Sequence, residues 1–196
     1  MSVTSCQSLN KGELTQLLDV ARDAIHGHFS SGCPQPPQLD LYTRRLLQPG
    51  ACFVTLTVNG QLQGCLGTII ARSPLVMEVY NRARASAYQD RRFMPLTEDQ
   101  LDDLQIEVSV LCQPETLTVS SEQELINYLG NNKVGLILSD GHQQALFLPQ
   151  VWQSLPKAEH FVRQLKLKAG WNASYWSPTM KVQTFTVNSI KGKYYF

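Results

Sequence analysis

Hydrophobic and polar positions along the 196-residue chain alternate between the period of a helix and that of a strand. Apolar residues recur at helical spacing over residues 11–29, directly behind a sequence typical of a helix cap. A second pattern of this kind covers residues 73–90, and shorter ones cover residues 121–129 and 156–169. The spacing therefore predicts two long helices in the first half of the chain and shorter ones in the second half.

Strand signals lie between these helices. Residues 51–58 and 61–70 flank Asn59-Gly60, and Asn-Gly between two strand-like runs is the strongest short-range hairpin signal. Residues 134–139 and 143–148 flank Asp140-Gly141 in the same way. Residues 104–112 alternate apolar and polar side chains, and residues 181–187 predict a last strand. Hairpins mixed with helices predict an α+β fold, with a mostly antiparallel sheet flanked by helices.

The length suits one domain, or one domain with a small lobe. We therefore expect a single domain over residues 1–196. Residues 1–45 would supply an N-terminal helix and a surface connection, because residues 30–39 contain three prolines and a glycine.

Composition narrows the classes of function. The 17 basic and 16 acidic residues are balanced, so no electrostatic footprint indicates a nucleic-acid partner. No apolar run approaches the roughly 18 residues of a membrane span, and we expect a cytoplasmic, reduced protein. Five cysteines without a CxxC pair fit neither a disulfide framework nor a zinc ribbon. Histidine spacing and glycine patterns predict no metal and no cofactor.

The first hairpin carries the most unusual cysteine. Counting outward from its two-residue turn places Val54 opposite Cys65, and Cys65 on the same face as Cys52. The two cysteines are then diagonal neighbours, roughly 7 Å or more apart between α-carbons. That separation is long for a disulfide, so we expect two free thiols.

Gly64 and Gly67 lie on either side of Cys65, and glycine inside a strand indicates a bulge or a close approach by another group. Two readings stay open for this cysteine. It is a small buried hydrophobic residue with glycines that allow tight packing, or it is a reactive thiolate favoured by a nearby cation or helix N-terminus.

Leu62-Gln63-Gly64-Cys65-Leu66-Gly67 resembles the Leu-Arg-Gly-Cys-Ile-Gly signature of the AMMECR domain family, called AmmeMemoRadiSam system protein A in bacteria and archaea. Five further segments agree in order: GACFVTL, ASAYQDRRF, EVSVL, LFLPQVW and LKLKAGW. The resemblance covers residues 46–196.

The resemblance implies a larger lobe with an antiparallel sheet, a smaller second lobe, and an inter-lobe cleft lined by the signature. Gln63 stands where the family usually has arginine, so any anion-binding or thiol-activating role of that position is weakened here. The family's bacterial members are grouped with a Memo-type protein and a radical S-adenosylmethionine enzyme, which implies a shared pathway. We expect a bacterial source.

Other residues of the matching segments are candidates for the cleft. Arg92, beside Phe93, either grips a carboxylate or phosphate or is a surface arginine near a helix end. Glu107 and Ser109 share the polar face of one strand, where Glu107 is a general base, an anchor or a solvated residue. Lys166 and Lys168 point in different directions, and the resemblance favours Lys168. The expected cleft residues are Gln63, Gly64, Gly67, Arg92, Phe93, Ser109 and Lys168.

Two functions remain. The first is a binding or accessory protein that receives a small-molecule or peptide ligand, or a Memo-type or radical S-adenosylmethionine partner. The second is a thiol-dependent enzyme with Cys65 as nucleophile and Glu107 as base, acting on a small anionic or carbonyl substrate.

Overall fold

The computed structural model describes residues 9–30 and 35–195. The chain divides into two compact units, unit 1 (Met1–Leu111 with Asn188–Phe196) and unit 2 (Cys112–Val187). The elements, in chain order, are α1 (Lys11–Ser30), β1 (Cys52–Val58), β2 (Gln61–Gly67), α2 (Leu75–Tyr88), β3 (Leu104–Leu111), β4 (Glu115–Thr116), α3 (Glu122–Asn131), β5 (Gly135–Asp140), β6 (Gln143–Phe147), α4 (Ala158–Lys168), β7 (Lys181–Phe185) and β8 (Val187–Lys193). Short 3-10 helices cover Leu39–Leu41, Glu98–Asp103 and Pro149–Gln153.

Unit 1 is built on a four-stranded sheet in the order β2-β1-β3-β8. Alternate residues of β1 and β3 face α1 and α2 and are fully buried, because the period of two in a strand gathers its apolar side chains on one side. Each such leucine, isoleucine or valine contributes roughly 1.5–3 kcal/mol on burial. The centre of this core includes Leu17, Val54, Leu56, Val79, Ala83, Ile106 and Val108.

Unit 2 has its own sheet, in the order β4-β7-β5-β6, and its own core. The indole of Trp152 stacks on the ring of Phe161 with centroids 3.7 Å apart. Lys166 of α4 is fully buried, and its Nζ donates to the Glu122 carboxylate at 2.7 Å. The two antiparallel sheets flanked by helices confirm the predicted α+β fold.

Two details differ from the expectation. Residues 187–193 form β8, although their polar and glycine-containing sequence does not predict a strand. Pairing in the sheet and packing against the core of unit 1 stabilise it. Asp140 pairs with Gln143, so the second turn is Gly141-His142 rather than Asp140-Gly141. Gly141, the first residue of this turn, has a φ of +58°, which glycine adopts without strain.

The cysteines differ in state. Cys52 and Cys65 are free thiols, as predicted. Cys112 is in a disulfide bond, which corrects the expectation of a fully reduced chain; Cys6 and Cys33 lie outside the described residues. No helix within residues 9–30 and 35–195 is long and apolar enough to cross a membrane. The same residues contain no group of three or more His, Cys, Asp or Glu side chains placed to hold a metal ion.

Candidate functional site

The β1–β2 hairpin contains a bulge that moves Cys65 to the other face of the sheet. Asn59 and Gly60 both have positive φ, 50° and 77°, as a tight hairpin turn requires. The register then shifts between Leu56 and Thr57, so that Cys65 pairs with Thr55. The expected pairing of Cys65 with Val54, and its place beside Cys52 and Leu56, are therefore wrong, because one extra residue reverses every side chain beyond it.

The glycines on either side of Cys65 allow close packing. A Cβ on Gly64 would lie 2.0 Å from the Ser86 carbonyl oxygen of α2, and a Cβ on Gly67 would lie 2.3 Å from the Phe53 ring. No other residue fits at either position without a shift of the helix backbone or the ring.

The Ser86 hydroxyl enters the ladder between β1 and β2. It accepts a hydrogen bond from Leu66 N at 2.9 Å and donates one to Val54 O at 2.8 Å. The side chain thus replaces a direct bond between two strands, and the missing side chain of Gly64 lets α2 come close enough to insert it.

Asp90 and Arg92 hold the backbone of Cys65 from the outer edge of β2. The Asp90 carboxylate accepts from Cys65 N at 2.9 Å, and from Arg92 Nε and Nη2 at 2.9 and 2.7 Å. Arg92 Nη2 also donates to Cys65 O at 3.0 Å. Hydrogen bonds from the guanidinium lower the pKa of Asp90 to about 2. Because the carboxylate neutralises Arg92, the pair offers no net positive charge to an anion.

Cys65, Thr55 and Glu107 form a row across three strands on the side of the sheet away from the helices. Thr55 pairs with Cys65 on β2 and with Glu107 on β3, and its Oγ1 lies 3.3 Å from Cys65 Sγ. In the next row, Ser109 pairs with Phe53. Ser109 is fully buried, and its hydroxyl has no hydrogen-bond partner in the described part of the chain. We call the partly exposed residues of this side, Phe53, Thr55, Thr57, Cys65 and Glu107, the Cys65 face; Ser109 lies beneath its surface.

Gln63 and Phe93 lie at the margin of this region. Gln63 Nε2 donates to Met94 O at 2.8 Å, which fastens the loop after Asp90 to the bulge. The Arg92 guanidinium lies 5.2 Å from the centroid of the Phe93 ring. The position occupied by arginine in the family signature therefore makes a neutral hydrogen bond to a loop in this chain.

Lys168 belongs to unit 2, where its Nζ donates to Leu146 O at 3.1 Å on the edge strand β6. Arg92 makes the equivalent bond to Cys65 O on the edge strand β2. Both basic residues that the sequence suggested as anion holders thus donate to a backbone carbonyl of an edge strand. The neighbouring Lys166 is buried on the opposite side of α4.

Sequence reasoning missed Ser86, Asp90 and Thr55. A small polar residue in the last helical turn, followed four residues later by an aspartate, was the available signal for the first two. Thr55 could be found only with the correct register, because the bulge decides which β1 residue stands beside the thiol.

Comparisons with known proteins agree with the resemblance of the sequence. The AMMECR1 family model matches residues 18–190. A protein of Thermotoga maritima is 35% identical over 154 residues, covering 78% of this chain and 81% of that protein. One of Methanothermobacter thermautotrophicus is 33% identical over 186 residues, covering 90% and 93%. The crystal structure of an uncharacterised protein from Pyrococcus horikoshii superimposes with a TM-score of 0.85 at 29% identity, covering 95% of this chain and 94% of that one. Because archaeal relatives are among these, the bacterial source stays a prediction.

Proposed function

Since the chain belongs to the AMMECR1 family, we propose that it is a binding component of a pathway shared with Memo-type and radical S-adenosylmethionine proteins. We further propose that it binds through the Cys65 face. The partner contributes the chemistry, and this protein contributes a rigid surface.

The observation that carries this proposal is that Asp90 and Arg92, the charged residues bonded to the Cys65 backbone, have a structural role. Asp90 and Arg92 are bonded to each other and to the Cys65 backbone, so these two groups fix the strand and neither is directed at a substrate. Rigid surroundings suit recognition, in which a preformed surface lowers the entropy lost on association.

A thiol-dependent enzyme is the second candidate, favoured by the contact between Thr55 Oγ1 and Cys65 Sγ and by Glu107 in the same row. Two strand spacings, about 10 Å between backbones, separate Glu107 from Cys65. Direct proton transfer needs about 3 Å between heavy atoms. Proton transfer between Cys65 and Glu107 would therefore require the Thr55 hydroxyl or a water molecule as a relay. For this reason we rank the enzyme below the binding component.

Binding assays with two substitutions distinguish these functions. The Memo-type and radical S-adenosylmethionine proteins of the same organism are titrated against wild type, Cys65→Ser and Thr55→Arg by calorimetry, with circular dichroism as the folding control. Exposed Glu159 on α4 supplies the matched control Glu159→Arg. We expect Cys65→Ser and the control to bind a partner as wild type does, and Thr55→Arg to bind at least about tenfold more weakly.

The same variants are tested for function in the cell. Normal function of Cys65→Ser supports the binding role. Loss of function in a folded Cys65→Ser protein, with no partner bound by wild type, would overturn the proposal in favour of the enzyme.

A further inference from the structure

A pocket in unit 1 lies between α1, α2 and the proline-rich segment after α1. Its volume is about 370 Å³, within the range of small-ligand sites. The rings of Tyr42 and Tyr80 and the prolines Pro36 and Pro37 supply apolar wall, and Asp23 supplies a carboxylate. The two prolines restrict the backbone of this wall, so the pocket is partly preorganised.

Asp23 supplies the carboxylate of this pocket. Among the described residues neither its carboxylate nor the Tyr42 hydroxyl has a hydrogen-bond or ion-pair partner. The nearby Asp19 is neutralised by Arg22 at 2.7 Å. His26, which also lines the pocket, shares a hydrogen bond of 2.8 Å between its Nδ1 and the Tyr194 hydroxyl.

The pKa values of Asp23 and Tyr42 are both raised, mainly by burial. Burial, with a smaller contribution from Asp19, raises the pKa of Asp23, and the charges of His26 and Arg22 offset this only in part. Burial, followed by the charge of Asp23, raises the pKa of Tyr42. A cation in the pocket would offset both effects.

We propose that this pocket binds an organic cation that carries N–H donors, an ammonium or guanidinium group, with Asp23 as its counter-charge and the rings of Tyr42 and Tyr80 as its walls. Carboxylates and aromatic faces together bind such groups, because a charge-assisted hydrogen bond and a cation–π contact add. The cation belongs to a free small molecule or to a lysine or arginine side chain of another protein. The site is separate from the Cys65 face, so it does not depend on the proposed function.

Nuclear magnetic resonance titrations of the full chain test this proposal with matched probes. N-acetyl-arginine amide is compared with N-acetyl-citrulline amide, which has nearly the same shape and no charge. Butylguanidinium, which carries the cation without peptide groups, represents a free small-molecule cation. The variants are Asp23→Asn, which keeps the shape of the side chain, and Tyr42→Leu, which removes the ring. Asp40→Asn is the control, because Asp40 is exposed and does not line the pocket.

We expect the cationic probes to shift the resonances of the pocket residues and to bind about tenfold more tightly than the citrulline amide. Asp23→Asn and Tyr42→Leu should weaken this binding several-fold, and Asp40→Asn should not. Asp23→Asn should also raise the melting temperature, because the folded state holds that ionised carboxylate at a cost. Equal binding of both guanidinium probes indicates that a free small-molecule cation suffices, and binding of the arginine amide alone indicates a protein side chain. Equal affinity for the citrulline amide, or unchanged affinity of Asp23→Asn, would overturn the proposal.

Discussion

Replacing Asp90 by asparagine tests whether the carboxylate holds the Cys65 strand in place. Asp90 is 7% exposed, and its two oxygens accept hydrogen bonds from Cys65 N and from the Arg92 backbone, Nε and Nη2. Asparagine has nearly the same shape, but one acceptor becomes a donor that faces other donors. The side chain of Arg92 is 57% exposed and can turn into water, so the loss concerns mainly the carboxylate.

The size of the effect follows from the pKa. The surroundings lower the pKa of Asp90 from 3.8 to about 2. At about 1.4 kcal/mol per pH unit, the ionised carboxylate contributes about 2 kcal/mol to the free energy of unfolding. Because the pKa is lower in the folded state, this contribution is complete above about pH 5 and is lost as the pH falls through 4 towards 2. We expect Asp90→Asn to lose about 2 kcal/mol at pH 7 and roughly half as much at pH 3.

Urea unfolding at both pH values provides the measurement. All three tryptophans lie in unit 2, so tryptophan fluorescence reports on unit 2, while hydrogen exchange of β2 peptides reports on unit 1. Exposed Arg91 supplies the control Arg91→Gln, which should change stability by less than about 0.5 kcal/mol. A loss this small for Asp90→Asn at pH 7, or an equal loss at both pH values, would refute the reasoning.

Three further substitutions test the contacts around Gly64 and the buried ion pair of unit 2. Gly64→Ala should lower the free energy of unfolding by about 2 kcal/mol or more, because the new Cβ meets a backbone oxygen at 2.0 Å. The control Gly130→Ala, in a helix with open space around it, should instead raise the free energy of unfolding by about 0.5–1 kcal/mol in urea. Ser86→Ala leaves a buried N–H and a carbonyl unpaired and should cost about 1–3 kcal/mol, with faster hydrogen exchange in β2; unchanged exchange would contradict the bridging role. Glu122→Gln deprives the buried Lys166 of its counter-charge and should cost about 2 kcal/mol by tryptophan fluorescence, whereas no loss would show that the amide replaces the carboxylate.

Local sequence predicted the first hairpin but could not predict the face on which its cysteine lies. Asn59-Gly60 fixes the turn because both residues take positive φ. The bulge, in contrast, accompanies a contact between Gly64 and Ser86, which are far apart in the chain. One extra residue then moved Cys65 from the core face to the side of Thr55 and Glu107. The glycines signalled a close approach without showing what approaches.

The element that sequence did not predict, β8, is a consequence of long-range packing. Apolar and polar residues alternate only weakly along β8. A Cβ on Gly192 would meet the side chains of Arg22 and Leu18 of α1. Arg22 is itself buried and donates to Lys193 O at 2.7 Å. The strand is therefore specified by α1 and the sheet rather than by its own sequence.

The roles of Arg92 and Lys168 limit how a partner can bind. Exposed edge strands invite pairing with other chains, and proteins occupy such edges with charged side chains. Here Asp90 and Arg92 occupy both the N–H and the carbonyl of Cys65 on β2, and Lys168 occupies a carbonyl on β6. An extended peptide cannot add to β2 at Cys65 as a further strand while these bonds exist. A ligand recognised at this position must therefore bind through the side chains of the Cys65 face, which is why Thr55→Arg, rather than a change at the strand edge, tests the proposed function.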